Sequence, residues 1–284
     1  MTDHVIEVAD GRTVGFADLG TPADDAVLWC HGGPGSRLEA EHLASDARDS
    51  GFRIVGIDRP GYGLSDPQPG RTIAEWVSDA LAVADRLGIE SFFTVGASTG
   101  GAFALAAAAL APRRVRGVVA CCAMTDMRWR PARATMSQRH AHAVWDAPDR
   151  DTAIEAAIAS HGLDGSKLMT GDGPPLAASD RALFTNPEWM RAMGTTMPQM
   201  FTHGLEGYAD DRIADDAGWV GFDVGSISCP VIVLHGGSDV IVDVIHARHT
   251  ASIVPNAQLR VFDTLGHFSI VVEVLPALVD LRAS

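Results

Sequence analysis

The apolar positions follow two rhythms along the chain. Val5–Val8 and Thr13–Ala17 flank Asp10-Gly11, a turn dipeptide that predicts a β-hairpin. Apolar runs at Ala26–Cys30, Arg53–Ile57, Phe92–Val95 and Val115–Cys121 read as buried strands. Between them, residues 37–49, Thr72–Leu87 and Gly100–Ala111 carry helical spacing, with Gly88 as a cap and Pro112 as a stop. Strand and helix alternate, which predicts a mostly parallel sheet with helices on both faces. Ligands of such sheets bind beyond the carboxyl ends of the strands, so the loops after residues 30, 57, 97 and 121 should share one rim.

The rhythm breaks between Met124 and Val224. This stretch is rich in Met, Trp, His and Asp, and its apolar positions recur at helical spacing. The segment "WMRAMGTTMPQMF" carries Met190, Met193, Met197 and Met200. Such a run forms either a small helical core or a pliable lining over a pocket, and a lid serves as both. The sheet pattern resumes at Pro230–Leu234, followed by a helix over about 243–253, a strand at Gln258–Phe262 and a last helix from Phe268. The expected organisation is a core of residues 1–123 and 225–284 with an inserted helical cap of residues 124–224.

Composition narrows the function classes. Of 284 residues, 46% are hydrophobic and 20% charged, as in a soluble globular protein. A net charge of −14 weighs against binding to nucleic acid or to an anionic membrane. The longest strongly apolar helical run, Ala102–Ala111, is too short to span a bilayer, and the first residues lack a signal-peptide pattern. A cytoplasmic protein is expected, acting on a small-molecule substrate, with homo-oligomerisation left open. Cys30, Cys121, Cys122 and Cys229 form no C-x-x-C motif and read as small buried residues, with Cys121 and Cys122 on opposite strand faces. No phosphate-binding loop and no H-E-x-x-H motif occur. The pairs His140/His142 and His246/His249 lack an accompanying carboxylate arrangement and read as surface residues. No metal and no cofactor are expected.

The candidate chemistry lies in "GASTGG", residues 96–101, where Ser98 sits between a strand and a helix. A G-x-S-x-G turn at that junction lifts the serine hydroxyl out of the backbone, and its crowding explains Gly96, Gly100 and Gly101. A serine needs a base, and the base needs an orienting acid. His267, in "TLGHFS" after the last strand, falls on the same rim. Asp239, in "HGGSDVIV" after the strand at Pro230–Leu234, does too, although Asp there also suits a helix N-cap. Asp126, after the strand ending at Cys121, is the alternative acid. Oxyanion donors are expected at the backbone amides of Thr99 and, in "HGGPG", of Gly33, since Pro34 has no N–H. The loop "DRPGYGLSD" reads as architectural, with Arg59, Gly61 and Gly63 shaping it.

In order, "HGGPGS" (31–36), "DRPGYGLSD" (58–66), "GASTGG" (96–101), "HGGSD" (235–239) and "GH" (266–267) resemble the α/β-hydrolase superfamily along nearly the whole chain. The resemblance implies an eight-stranded, mostly parallel sheet with a helical cap inserted after the sixth strand, a Ser-His-Asp triad and no cofactor. "HGGPG" is similar to prolyl iminopeptidases. Those usually place Trp after the nucleophile and a DQRG-type loop where this chain has Thr99 and "DRPG". Their cap supplies acids for a free amine, and Glu155, Glu188 and Glu206 are available here. The favoured expectation is a carboxylic-ester hydrolase acting on a small to medium, largely uncharged substrate. An iminopeptidase-like aminopeptidase, a non-catalytic ligand-binding protein, and a lyase or perhydrolase are the alternatives.

Overall fold

The computed structural model describes residues 2–21, 24–136, 139–167 and 175–284. Eight strands form one sheet: β1 (Thr2–Glu7), β2 (Thr13–Asp18), β3 (Asp25–Cys30), β4 (Phe52–Ile57), β5 (Phe92–Ala97), β6 (Val115–Cys121), β7 (Val231–Gly236) and β8 (Ala257–Phe262). Their order is β1-β2-β4-β3-β5-β6-β7-β8. β1 and β2 form the expected antiparallel hairpin and β2 pairs antiparallel to β4; every later pairing is parallel.

The central strands are apolar on both faces because both are covered. Along β3, Leu28 and Cys30 enter one core layer with the helices α2 (Trp76–Arg86) and α3 (Gly100–Leu110). Val27 and Trp29 enter the other, with α1 (Ala44–Asp49) and α11 (Val274–Ala283). This two-sided burial is the reason parallel strands read as continuous apolar runs. β8, at the edge, is only partly buried along its length.

Between β6 and β7 the described chain is helical: α4 (Arg130–Thr135), α5 (Arg139–Trp145), α6 (Arg150–His161), α7 (Ala178–Leu183), α8 (Pro187–Met200) and α9 (Glu206–Ala217). α10 (Val244–Ile253) follows β7. Among the described residues no helix is long and apolar enough to cross a membrane.

Three helix expectations change in detail. The helix expected over 37–49 is a 3₁₀ turn, Glu39–Leu43, leading into α1. Its tight start accompanies the Glu39 carboxylate reaching back to the amide of Gly32, 2.8 Å away. The helix expected from Thr72 begins at Trp76, after a turn in which Thr72 N–H donates to Glu75 Oε2 at 2.7 Å and Glu75 N–H to Thr72 Oγ1 at 3.3 Å. The last helix is likewise preceded by a 3₁₀ turn, Ser269–Glu273.

Candidate active site

Ser98 follows β5 directly and has φ 51°, a left-handed conformation that a side chain adopts only when its surroundings hold it. Its amide donates to Cys121 O at 2.9 Å, and its carbonyl accepts from Gly101 N–H at 3.1 Å, which fixes the bend. A Cβ on Gly96 would overlap the carbonyl of Gly100, and one on Gly100 the carbonyl of Cys30. On Gly101 it would overlap the side chain of Ala123. The three glycines thus let strand, turn and helix approach closely. Gly100→Ala is expected to cost about 1–3 kcal/mol or more by overpacking against backbone that cannot give way, read as a lowered midpoint in a thermal melt.

His267 and Asp239 meet. His267 Nδ1 donates to Asp239 Oδ2 at 2.8 Å. The other carboxylate oxygen of Asp239 accepts the amides of Ile241 at 2.8 Å and Val242 at 3.0 Å, so one side chain both caps its turn and holds the imidazole. Burial works against the Asp239 charge, but His267 and these donors outweigh it and keep the carboxyl below its usual range. Burial likewise works against a charged His267. The negative groups beside it, Cys122 in its thiolate form, Asp239 and Asp180, outweigh burial and raise the imidazole. The Cys122 thiol is itself pushed far up, mainly by its contact with Cys121 and by burial, so at neutral pH the push on His267 comes from the carboxylates. Asp126, the alternative acid, is instead paired with Arg128 at 2.5 Å.

Ser98 and His267 line one cavity of about 1190 Å³ at the carboxyl ends of the strands. No hydrogen bond joins the two side chains in this resting geometry; such contacts commonly tighten only with substrate bound. Gly33 and Thr99 line the same cavity. The amide of Gly32 is taken by Glu39, whose other oxygen accepts from Trp29 Nε1 at 3.0 Å. α8 contributes Met193, Met197 and Met200 to the lining, while Met190 points outward and is 40% exposed.

Several groups at the site gave no sequence signal. Asp180 of α7 is fully buried and accepts the amides of His267 at 2.9 Å, Phe268 at 3.1 Å and Ser269 at 2.8 Å. It therefore caps the turn that carries the imidazole. Beneath the loop after β3, Arg59 donates to the carbonyls of His31 and Gly32, the latter at 2.7 Å. Asp211 of α9 pairs with Arg59 at 2.8 Å and Arg71 at 2.6 Å and accepts from the Tyr62 hydroxyl at 2.8 Å. Burial would raise the Asp211 carboxyl; the two guanidinium groups outweigh it and hold it far below the usual range. In the charged stretch "ADDRIADD", residues 209–216, Asp211 is buried against Arg59 and Arg71, Asp210 against Arg150, and Asp215 against Arg212 of the same helix.

Other expectations are corrected. His246 is buried, accepting from Thr125 N–H at 3.2 Å, and His249 stacks on Trp129 with ring centroids 3.9 Å apart. His142 is half-buried against Met136 O at 3.1 Å, and the His140 side chain lies outside the described residues. His246 and His249 of α10 thus pack against Thr125, Trp129 and Thr135. Cys121 and Cys122 both line the cavity, because Cys122 lies past the end of β6 at φ 43° and the strand's alternation has stopped. All four cysteines are free. Among the described residues, no group of three or more His, Cys, Asp or Glu is placed to hold a metal ion.

The chain is similar to several known proteins. The chain is 26% identical over 255 residues to a 2-hydroxymuconate semialdehyde hydrolase of Pseudomonas putida, covering 86% of this chain and 80% of that one. It is 33% identical over 117 residues to a proline iminopeptidase of Neisseria gonorrhoeae, covering 40% of this chain and 37% of that one. An esterase from a Rhodococcus species superposes with a TM-score of 0.71 at 20% identity, covering 100% of this chain and 99% of that one. Residues 25–274 match the model of the alpha/beta hydrolase fold, and the chain belongs to that family.

Proposed function

We propose that this protein is a serine hydrolase that cleaves a carboxylic ester of a small to medium, largely uncharged substrate through an acyl-enzyme. The observation that carries this reading is His267, hydrogen-bonded to Asp239 and lining one cavity with the strained Ser98. Ser98 Oγ attacks the ester carbonyl and His267 takes its proton. The amides of Gly33 and Thr99 hold the oxyanion, and the alcohol leaves with the proton from His267. Water then repeats the sequence on the acyl-enzyme, while Asp239 keeps the imidazole in register. Residues 124–224 act as the cap, and its methionines supply an apolar wall suited to an uncharged ligand.

The aminopeptidase reading finds less support. The described cavity lining includes none of Glu155, Glu188 or Glu206, and Glu206 is paired with Arg150 at 2.8 Å. A panel of p-nitrophenyl esters beside aminoacyl arylamides tests the choice. Ester turnover with no arylamide cleavage is expected, and the reverse would replace this reading.

The raised imidazole sets a pH dependence. The base form of His267 is available only above the ordinary imidazole value of 6.5, so kcat/KM should climb with an apparent pKa above 6.5. A profile already flat from about pH 6 would contradict the assignment of His267 as the base. The sign for stability is opposite. The group's contribution to folding is full below its unfolded value and is lost as the pH rises through the raised folded value.

A further inference from the structure

The side chain of Thr99 is unexplained by a mechanism that uses only its backbone amide. It is 1% exposed yet lines the cavity. Its Oγ1 accepts a hydrogen bond from Nη2 of Arg212, a cap residue of α9 that is itself 2% exposed and also lines the cavity. A hydroxyl that accepts still has its own proton to donate, and among the described residues that proton has no acceptor. The position is specific. A Cβ built on Gly33 would lie 2.7 Å from Thr99 Oγ1 and 3.1 Å from Arg212 Nη2. The hydroxyl and the guanidinium therefore stand directly beside the residue whose amide serves the oxyanion, and glycine there leaves room for both.

We infer that the Thr99 hydroxyl is a third oxyanion donor, aimed and polarised by Arg212 of the cap. This rests on the acyl-enzyme reading above and adds to it a side-chain donor, one part of which comes from outside the core. A guanidinium donating to Oγ1 makes its O–H a stronger donor, and in a buried site that charge is weakly screened. Arg212 itself is anchored by Asp215 at 2.7 Å and lies over the Tyr208 ring at 5.3 Å, so the chain from cap to hydroxyl is held at each step. Thr99 is then a catalytic residue through its side chain, and Arg212 a positioning residue. No proton is transferred by either; the hydroxyl only shares its proton with the developing charge.

The test uses the whole enzyme and a p-nitrophenyl ester. Thr99→Val keeps shape and amide but removes the O–H, and should lower kcat by about 10²–10³-fold with KM changed less than about threefold, the loss typical of one oxyanion donor. Thr99→Ser should recover most of that loss. Arg212→Met should lower kcat similarly, and Thr99→Val combined with Arg212→Met should be no worse than the poorer single variant, because both remove one device. Melting curves for each variant separate loss of fold from loss of donor, and Thr99→Val remains informative if Arg212→Met does not fold. Thr99→Val with wild-type kcat overturns the inference, as does an additive double variant or a Thr99→Ser no better than Thr99→Val. Labelling of wild-type Ser98 by a fluorophosphonate separates the two levels. If Ser98 labels and Thr99→Val is silent, this inference alone fails; if wild-type Ser98 does not label, the acyl-enzyme reading and this inference fall together.

Discussion

Ser98→Ala is expected to remove ester turnover, on the order of 10⁶-fold in kcat, while leaving the melting midpoint within a few degrees of wild type. The size follows from chemistry: without Oγ there is no acyl-enzyme, and what remains is water placed beside the oxyanion donors. The near-silent melt follows from structure. Ser98 holds its bend through backbone bonds to Cys121 and Gly101, and its side chain faces the cavity rather than the core. Alanine at φ 51° carries the same strain as serine, because both have one Cβ. Initial rates on a p-nitrophenyl ester, with a thermal melt of the same preparation, measure both quantities. A variant that keeps more than about a hundredth of wild-type activity would remove Ser98 from the mechanism.

The second large effect is expected at Asp239→Asn, a loss of about 10⁴-fold in kcat. The carboxylate is held in two directions, by the amides of Ile241 and Val242 on one oxygen and by His267 on the other. An asparagine keeping its oxygen on the amides must turn its NH₂ towards Nδ1. That forces the imidazole proton onto Nε2, where the proton from Ser98 has to arrive. An asparagine turned the other way leaves two turn amides facing an NH₂ group. Removal of the charge also lowers the affinity of His267 for a proton, so the residual activity should have its acid limb at lower pH than wild type. Asp126→Asn, which removes an ion pair with the exposed Arg128 and weakens the contacts of Asp126 with the amides of Arg128 and Trp219, should stay within about threefold of wild type, because a partly exposed pair contributes about 1 kcal/mol or less and Asp126 does not line the cavity that holds Ser98 and His267. If Asp126→Asn shows the large loss and Asp239→Asn does not, the acid has been misassigned.

The parts of the molecule legible in its sequence are those fixed by local pattern. β3 to β7 are buried on both faces, so their apolar runs stand out, and Val115–Cys121 matches β6 residue for residue. The glycines around Ser98 are legible because steric crowding acts between near neighbours in the chain. Asp239 was readable as either an orienting acid or a cap, and its two oxygens do both. The polar contacts that residues 124–224 make at the site were not legible, although the methionine run was. Asp180 acts on a turn 87 residues away, and Asp211 on Arg59 at a separation of 152. Charged residues on an amphipathic helix look solvated until their partners are known. The misjudged His246 has the same cause: an imidazole offers no periodic signal, and the residues that meet its ring, Thr125 and Thr135, are more than a hundred positions away.

The ion pairs between Asp211 and the two arginines Arg59 and Arg71 restrict how such an enzyme can be rebuilt. A chimera that grafts a foreign insert onto this sheet, without an acid in place of Asp211, would leave two cations stranded in a dry interior. Breaking one buried pair of that kind costs about 3–5 kcal/mol, a large part of the roughly 5–15 kcal/mol that holds a domain together. Positions 59 and 71 must therefore travel with α9 in any exchange of modules, whereas Met193, Met197 and Met200 of α8, which wall the cavity, are the positions free to diversify towards new acyl groups.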